Sequence, residues 1–256
     1  MRIVLSNDDG ILAPGLAALR SAVGDMGDVL VFAPESPQSA AGHGITIKQP
    51  LRVRNVQLSE GAFEGLSIAG RPADCVRLAV RHLLAEPPDL VLSGINAGAN
   101  VGVNVFYSGT VAAAAEAAMC GIPAVAFSAD VSGDDVDFAA CARYCRWVLD
   151  LLRARGLGVG DLISVNVPAA GTEPRGLRVV PQSTAEIEDV YHERCESDGQ
   201  QAYQLGDEYR FAHQADSDVA ALAEGYITIT PLHVDMTNHD RIVSLARQEW
   251  PPLPGA

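Results

Sequence analysis

Short apolar runs alternate with stretches of helical pattern along most of the chain, and this alternation limits the fold more than any other feature. The apolar runs have the length of strands buried on both faces, namely Arg2–Leu5, Val29–Phe32, Leu90–Leu92, Ala124–Phe127 and Ile163–Asn166. Helical patterns follow four of them, at Gly15–Met26, Ala73–Ala85, Thr110–Cys120 and Val136–Arg155. Strands that alternate with helices predict an α/β fold with a mostly parallel sheet and helices on both faces.

The pattern changes after Pro168, where the chain becomes polar, acidic and poor in helix signals. A hairpin is predicted at about residues 186–206, because Asp198-Gly199 is a typical tight-turn dipeptide between runs rich in Tyr and Val. The flanking runs are not cleanly apolar, so we expect the hairpin to pack on a partner subunit.

The rest of the C-terminal region returns to regular structure. Gly225–Thr230 alternates like a strand, and a last helix is predicted around Asp240–Trp250. The sequence therefore predicts two parts, a core over residues 1–170 and a C-terminal region over 171–256.

Composition and charge exclude several classes of protein. The net charge of −14 argues against binding to polymeric nucleic acid, which needs clustered Lys and Arg. The first apolar run has four residues and no later run approaches about 20, so neither a signal peptide nor a membrane span is predicted. Five cysteines without a CxxC pair predict reduced thiols in the cytoplasm rather than a disulfide framework.

Two consecutive carboxylates, Asp8 and Asp9, follow the first predicted strand. A dinucleotide-dependent oxidoreductase needs a GxGxxG loop at this point, and the chain lacks it. Paired carboxylates repel a phosphate unless a divalent cation lies between them, and their hard oxygens suit Mg²⁺ or Mn²⁺. The alternative is that they cap the next helix, with Gly10 in a turn; two acids at a strand end favour the metal site.

Two further loops follow strands of the same predicted sheet. In residues 33–44, Ser39 is a candidate oxygen ligand and His43 a candidate acid or base, although solvent-exposed loop residues would look the same. Residues 93–110 contain four Gly and three Asn, and end in Ser108-Gly109-Thr110 at a predicted helix start. A helix start with a hydroxyl residue is a natural phosphate site, or simply an N-cap.

Because the carboxyl ends of parallel strands meet at one edge, these loops are expected to form one site. A cation beside a phosphate site predicts metal-assisted phosphoryl hydrolysis, in which the metal activates an attacking water. Direct attack by an Asp to form an aspartyl-phosphate is the alternative mechanism. A nucleotide- or metal-binding regulator without turnover is the alternative function.

Several segments, in order along the chain, resemble the SurE survival-protein family. They are Ile3–Leu16 (IVLSNDDGILAPGL), Pro72–Arg77 (PADCVR), Ser93–Gly98 (SGINAG), Tyr107–Val111 (YSGTV), Asn166–Pro168 (NVP), Asp216–Asp218 and Gly225–Thr237 (GYITITPLHVDMT). The resemblance implies a Rossmann-like core and a C-terminal hairpin exchanged within a dimer or tetramer. It also implies a metal-dependent phosphatase acting on nucleoside 5′- and 3′-monophosphates, often with exopolyphosphatase activity.

The resemblance also implies roles for individual residues. One divalent cation, Mg²⁺ or Mn²⁺, would be held by Asp8, Asp9, Ser39 and Asn96, with Asp8 and Asp9 as the catalytic pair. The substrate phosphate would lie at Asn100, Ser108, Gly109 and Thr110. The chain departs from the family pattern before Ser39, where residues 35–38 carry no Arg or Lys, and at Arg71, where the family usually has Thr.

Overall fold

The computed structural model describes residues 1–58, 63–131, 136–169, 173–195 and 200–251 of the 256-residue chain. Its eleven strands within these ranges are β1 (Arg2–Ser6), β2 (Asp28–Pro34), β3 (Val53–Leu58), β4 (Phe63–Ile68), β5 (Leu90–Ala97), β6 (Ala124–Ala129), β7 (Leu162–Val167), β8 (Leu177–Val179), β9 (Ile187–Cys195), β10 (Gln201–Phe211) and β11 (Ile227–Leu232). The α-helices are α1 (Pro14–Val23), α2 (Pro72–Leu78), α3 (Gly109–Met119), α4 (Phe138–Arg155), α5 (Asp218–Ala223) and α6 (His239–Ala246). A π-helical turn (Ala79–Leu83) continues α2, and a 3₁₀ helix (Gly102–Phe106) precedes α3.

Nine strands form one sheet in the order β3-β4-β2-β1-β5-β6-β7-β11-β8. Six of the eight neighbouring pairs are parallel, and only β3 with β4 and β7 with β11 run antiparallel. The predicted fold class, a mostly parallel α/β sheet, is confirmed, and all five strands predicted from apolar runs lie in it.

Alternating side chains of β1 show how the sheet is covered on both faces. Ile3 and Leu5 pack into the core beneath α1 and α4, whereas Val4 packs into the core beneath α2 and α3. All three side chains are fully buried. A strand buried on both faces reads as a continuous apolar run, which is why the sequence pattern located it.

The predicted hairpin is confirmed as a separate two-stranded antiparallel sheet of β9 and β10. Its register runs from Gln201 opposite Cys195 to Phe211 opposite Ile187. The predicted turn, Asp198-Gly199, lies outside the described residues. Most side chains of β9 are exposed, including Tyr191, as the weak apolar pattern indicated.

Three strands and one helix were not expected from the sequence. Polar residues or Gly interrupt the apolar residues of β3 and β4, which lie at one edge of the sheet, so neither strand has a continuous apolar run. β8 has only three residues at the opposite edge, and α5 only six. β11 and β8 join the main sheet, so the C-terminal region contributes strands to the core sheet.

Within the described ranges, no helix has the length and apolar character that crossing a bilayer requires. The last helix, α6, begins one residue before the predicted start and ends at Ala246, and none of its residues is buried.

Candidate active site

The loop after β1 is held in shape by its own residues. Asn7 is fully buried and donates Nδ2 to the Gly10 carbonyl at 2.9 Å, and Gly10 adopts a positive φ of 98°. The next residue, Ile11, donates its backbone N–H to the Pro34 carbonyl at the end of β2. These bonds hold Asp8 and Asp9 at the carboxyl edge of the sheet, as the sequence predicted.

Asp8 is buried against the start of α3. Thr110 Oγ1 donates to Asp8 Oδ1, and a Cβ built on Gly109 would lie 2.7 Å from Asp8 Cβ. Burial raises the pKa of Asp8, and hydrogen bonds from the Thr110 hydroxyl and the backbone N–H groups of Gly109 and Thr110 oppose that rise. The helix start that was predicted to bind phosphate therefore lies directly against one of the two carboxylates.

Asp9 is only partly buried, and its pKa is raised by burial and then by the charge of Asp8. The backbone N–H of Ala97, at the end of β5, offsets part of this rise. The neighbouring residue Asn96 donates Nδ2 to the Gly98 carbonyl at 2.7 Å, so its amide oxygen takes no part in that bond. Asp9 thus lies against the end of β5, one residue along the chain from Asn96.

The loop after β2 contacts Asp8 through a backbone hydrogen bond. The N–H of Gln38 donates to the Asp8 carbonyl at 2.8 Å, so the exposed Ser39 follows a residue bonded to Asp8. Further along this loop, the N–H of Gly42 donates to the Tyr107 carbonyl at 2.9 Å. The loops after β1, β2 and β5 therefore meet, as their positions after parallel strands predicted.

Asn100 is buried in a network that extends to β6 and β7. Its backbone N–H donates to Asn166 Oδ1 at 2.8 Å, and its Nδ2 donates to Ser128 Oγ at 2.8 Å. Asn166 Nδ2 returns a bond to the Asn100 carbonyl. Ser108 is the N-cap of α3 and accepts from the Val111 N–H at 3.0 Å, so the capping role that the sequence left open is observed.

The C-terminal region also holds this loop, which sequence reasoning missed. Gly102 donates its N–H to Asp218 Oδ2 at 2.9 Å and accepts from Gln182 Nε2 at 2.8 Å. A Cβ on Gly102 would meet the Phe211 ring of β10 at 2.7 Å and Val219 at 3.2 Å. Contacts over such long sequence separations leave no local pattern.

His43 has a partner that the sequence did not reveal. Its Nε2 lies 2.9 Å from Glu116 Oε2, and Arg77 Nη1 lies 3.0 Å from Glu116 Oε1. Glu116 is only 2% exposed; burial raises its pKa, but the hydrogen bond from His43 and the charge of Arg77 outweigh burial and hold the pKa below its usual range. His43 thus fixes its loop to α3.

The donors at this edge suit a hard divalent cation. Asp8 and Asp9 carry like charges that repel each other, and a cation between them removes that cost. Asn7 Oδ1 and Ser6 Oγ are buried beside them without a hydrogen-bond partner among the described residues. Those residues include no group of three or more His, Cys, Asp or Glu that could hold a metal, so Ser and Asn oxygens would complete the set.

Comparison with known proteins shows the family to which the chain belongs. The family model described as Survival protein SurE matches residues 3–189. A protein named 5′-nucleotidase SurE 1 from Thermus thermophilus is 44% identical over 250 residues, covering 96% of this chain and 97% of the relative. One named 5′-nucleotidase SurE from Syntrophobacter fumaroxidans is 44% identical over 252 residues, covering 96% and 99%.

A solved structure agrees in fold as well. The crystal structure of the SurE protein from Aquifex aeolicus superposes with a TM-score of 0.82 at 34% identity, covering 96% of this chain and 98% of that chain. The family model, the relatives and the shared fold lead to one conclusion: the chain belongs to the SurE survival-protein family.

Proposed function

We propose that this protein is a metal-dependent phosphomonoesterase that hydrolyses nucleoside 5′-monophosphates, and 3′-monophosphates, to nucleoside and phosphate. The observation that carries the proposal is the pair Asp8 and Asp9 at the carboxyl edge of the sheet, with Asp8 against the start of α3. The names of the relatives, 5′-nucleotidase SurE, support the same substrate class. Exopolyphosphatase activity is part of the proposal, as implied by the family.

We assign one divalent cation, Mg²⁺ or Mn²⁺, to Asp8, Asp9, Ser39 and Asn96. When bound, such a cation polarises a phosphoryl oxygen and makes a water molecule nucleophilic near neutral pH. Asp9 is the more accessible of the two carboxylates, and it accepts a bond from the backbone N–H of Ala97, the neighbour of Asn96 in β5. Asn100, Ser108, Gly109 and Thr110 remain our candidates for the phosphate side.

The contacts of Asp8 favour water over Asp8 as the nucleophile. One of its oxygens accepts from Thr110, and the backbone N–H groups at the start of α3 stabilise its charge. Each of these bonds lowers the availability of the carboxylate lone pairs for attack on phosphorus. The role of Asp8 in the proposal is therefore to bind and orient, rather than to form an aspartyl-phosphate.

Release of phosphate from a panel of nucleoside 5′- and 3′-monophosphates and short polyphosphate, with Mg²⁺ and with Mn²⁺, tests the proposal. We expect metal-dependent turnover that EDTA abolishes and that Asp9→Asn lowers by at least about 100-fold. Asp28→Asn is the matched control, because Asp28 is an exposed acid at the opposite end of the same sheet. A folded wild-type protein that binds these nucleotides without releasing phosphate would instead be a regulator.

We also propose that the β9–β10 hairpin and α6 pack on another copy of the chain, in a homodimer or homotetramer. Their exposed apolar side chains, such as Tyr203 and Ile242, support this assembly. A monomeric sedimentation coefficient at micromolar concentration would contradict it. A cytoplasmic location remains a prediction, supported by the buried thiols of Cys75, Cys141 and Cys145, none of which forms a disulfide.

A further inference from the structure

A cavity lies beside the candidate active site, between the loop after β2 and the start of α2. Its volume is about 650 Å³, and its lining includes Ser36, Gln38, Lys48, Arg52, Gly70 and Arg71. Ser36 and Gln38 belong to the loop that bonds to the Asp8 backbone, so the same loop lines this cavity and contacts the candidate active site.

The cavity wall is positive in a chain whose net charge is −14. Lys48, the single lysine of the sequence, lines it together with Arg52 and Arg71, and none of the three pairs with a carboxylate in the described part of the chain. The one acid in the lining, Glu35, is neutralised by Arg54 at 2.7 Å. Three cations that line one cavity without a carboxylate partner make the cavity attractive to an anion.

The wall is also fixed in place. Asp74 is buried and accepts bonds from the Thr46 N–H at 2.9 Å, the Thr46 hydroxyl at 2.7 Å and the Arg71 N–H at 2.9 Å. These bonds tie the segment that carries Lys48 to the start of α2. The Arg71 guanidinium lies against the backbone of Gly44, where a Cβ would be 1.7 Å from Nη1.

We propose that this cavity binds a phosphate group, separate from the one acted on at Asp8 and Asp9, through Lys48, Arg52 and Arg71. Arginine and lysine supply the charge and the donors that phosphate recognition uses, and the open cavity admits a group larger than an ion. The phosphate belongs either to a second molecule or to the far end of a polyphosphorylated substrate.

Pyridoxal 5′-phosphate provides a direct probe, because its aldehyde forms a Schiff base with a lysine amine that borohydride then fixes. Since Lys48 is the only lysine, peptide mapping separates its labelling from that of the N-terminus. We expect pyridoxal 5′-phosphate to label Lys48 about tenfold faster than pyridoxal does, with both rates normalised to a free lysine derivative. Inorganic phosphate should slow this labelling.

Variants distinguish binding of the phosphate in this cavity from a general effect of the net charge. Arg52→Gln with Arg71→Gln should abolish the preference for the phosphorylated aldehyde, whereas Arg153→Gln with Arg155→Gln, an equal charge change on α4, should preserve it. Gly44→Ala keeps the net charge and displaces only the Arg71 guanidinium, so the preference should fall by about threefold. Equal labelling by the two aldehydes in the wild type, or a preference that survives the Arg52 and Arg71 changes, would overturn the proposal.

The source of the phosphate is settled by protection experiments. If the far end of a longer substrate binds here, tripolyphosphate protects Lys48 better than orthophosphate does, and Asp9→Asn weakens that protection. If a second molecule binds, orthophosphate protects equally in the wild type and in Asp9→Asn. Labelling needs no turnover, so these results do not depend on whether the proposed hydrolysis occurs.

Discussion

The tight approach of Gly109 to Asp8 makes Gly109→Ala the most informative single change in this protein. An added Cβ would lie 2.7 Å from Asp8 Cβ, 3.0 Å from Asp8 Oδ2 and 3.0 Å from Pro72 Cγ. The φ of Gly109 is an ordinary one, so alanine fits the backbone and the conflict is entirely with these neighbours. The substitution therefore moves the Asp8 carboxylate without removing any polar group.

The size of the effect follows from the contact distance. Carbon atoms pack at about 3.5–4.0 Å, so a contact of 2.7 Å must open by about 1 Å. A displacement of about 1 Å in a catalytic group costs about 100-fold in rate. Overpacking costs about 1–3 kcal/mol, so the free energy of unfolding should fall by about 3 kcal/mol at most.

Phosphate release and thermal melting should be measured on the same preparations. We expect activity to fall by about 100-fold while the melting temperature falls by no more than about 12 °C. Gly158→Ala is the matched control, because its nearest neighbour, an Asp161 carboxylate oxygen, lies at an ordinary 3.4 Å. A folded Gly109→Ala protein with activity within about threefold of wild type would refute the assigned role of Asp8.

Three further predictions concern the contacts around the site. In denaturant titrations, Glu116→Gln should lower the free energy of unfolding by about 1–2 kcal/mol near neutral pH. Because the folded pKa of Glu116 lies below its unfolded value of 4.5, this difference should disappear as the pH falls through the folded pKa. A difference that stays constant as the pH is lowered would contradict the stabilisation of the Glu116 carboxylate by His43 and Arg77. Asn166→Ala leaves the buried N–H of Asn100 unpaired and should cost about 1–3 kcal/mol in the same titrations, where an unchanged midpoint would disprove its role. Gln182→Ala removes one of the bonds that hold the loop before α3 and should raise KM for nucleoside monophosphates more than it lowers kcat; an unchanged KM would contradict this.

The predictable part of the fold was the part with a strong local signal. β1 is an uninterrupted apolar run and was located to within one residue, whereas β3 reads VRNVQL and resembles a polar loop. An edge strand has one neighbour and little apolar burial, so it does not need the continuous apolar run that identifies a central strand. The separation between predictable and unpredictable strands thus follows their position in the sheet.

The same distinction applies to the site. The positions of Asp8, Asp9 and the Ser108 cap at the carboxyl edge of the sheet were predictable, because each lies at the junction of two predicted elements. The bond from Thr110 to Asp8 joins residues 102 positions apart, and the bond from His43 to Glu116 joins residues 73 apart. The sequence indicates which residue types gather at one edge, but only the packing of α3 on the sheet decides which of them touch.

The bonds to Gly102 have a consequence for the order in which a working site is assembled on the ribosome. Its partners lie 80 and 116 residues further along the chain, in Gln182 and Asp218. Synthesis proceeds from the N-terminus, and contacts between distant segments form late. The strands that carry Asp8 and Asp9 can pair long before α5 has emerged, so a nascent chain contains the carboxylates but lacks a fixed loop beside them until its last quarter has been made.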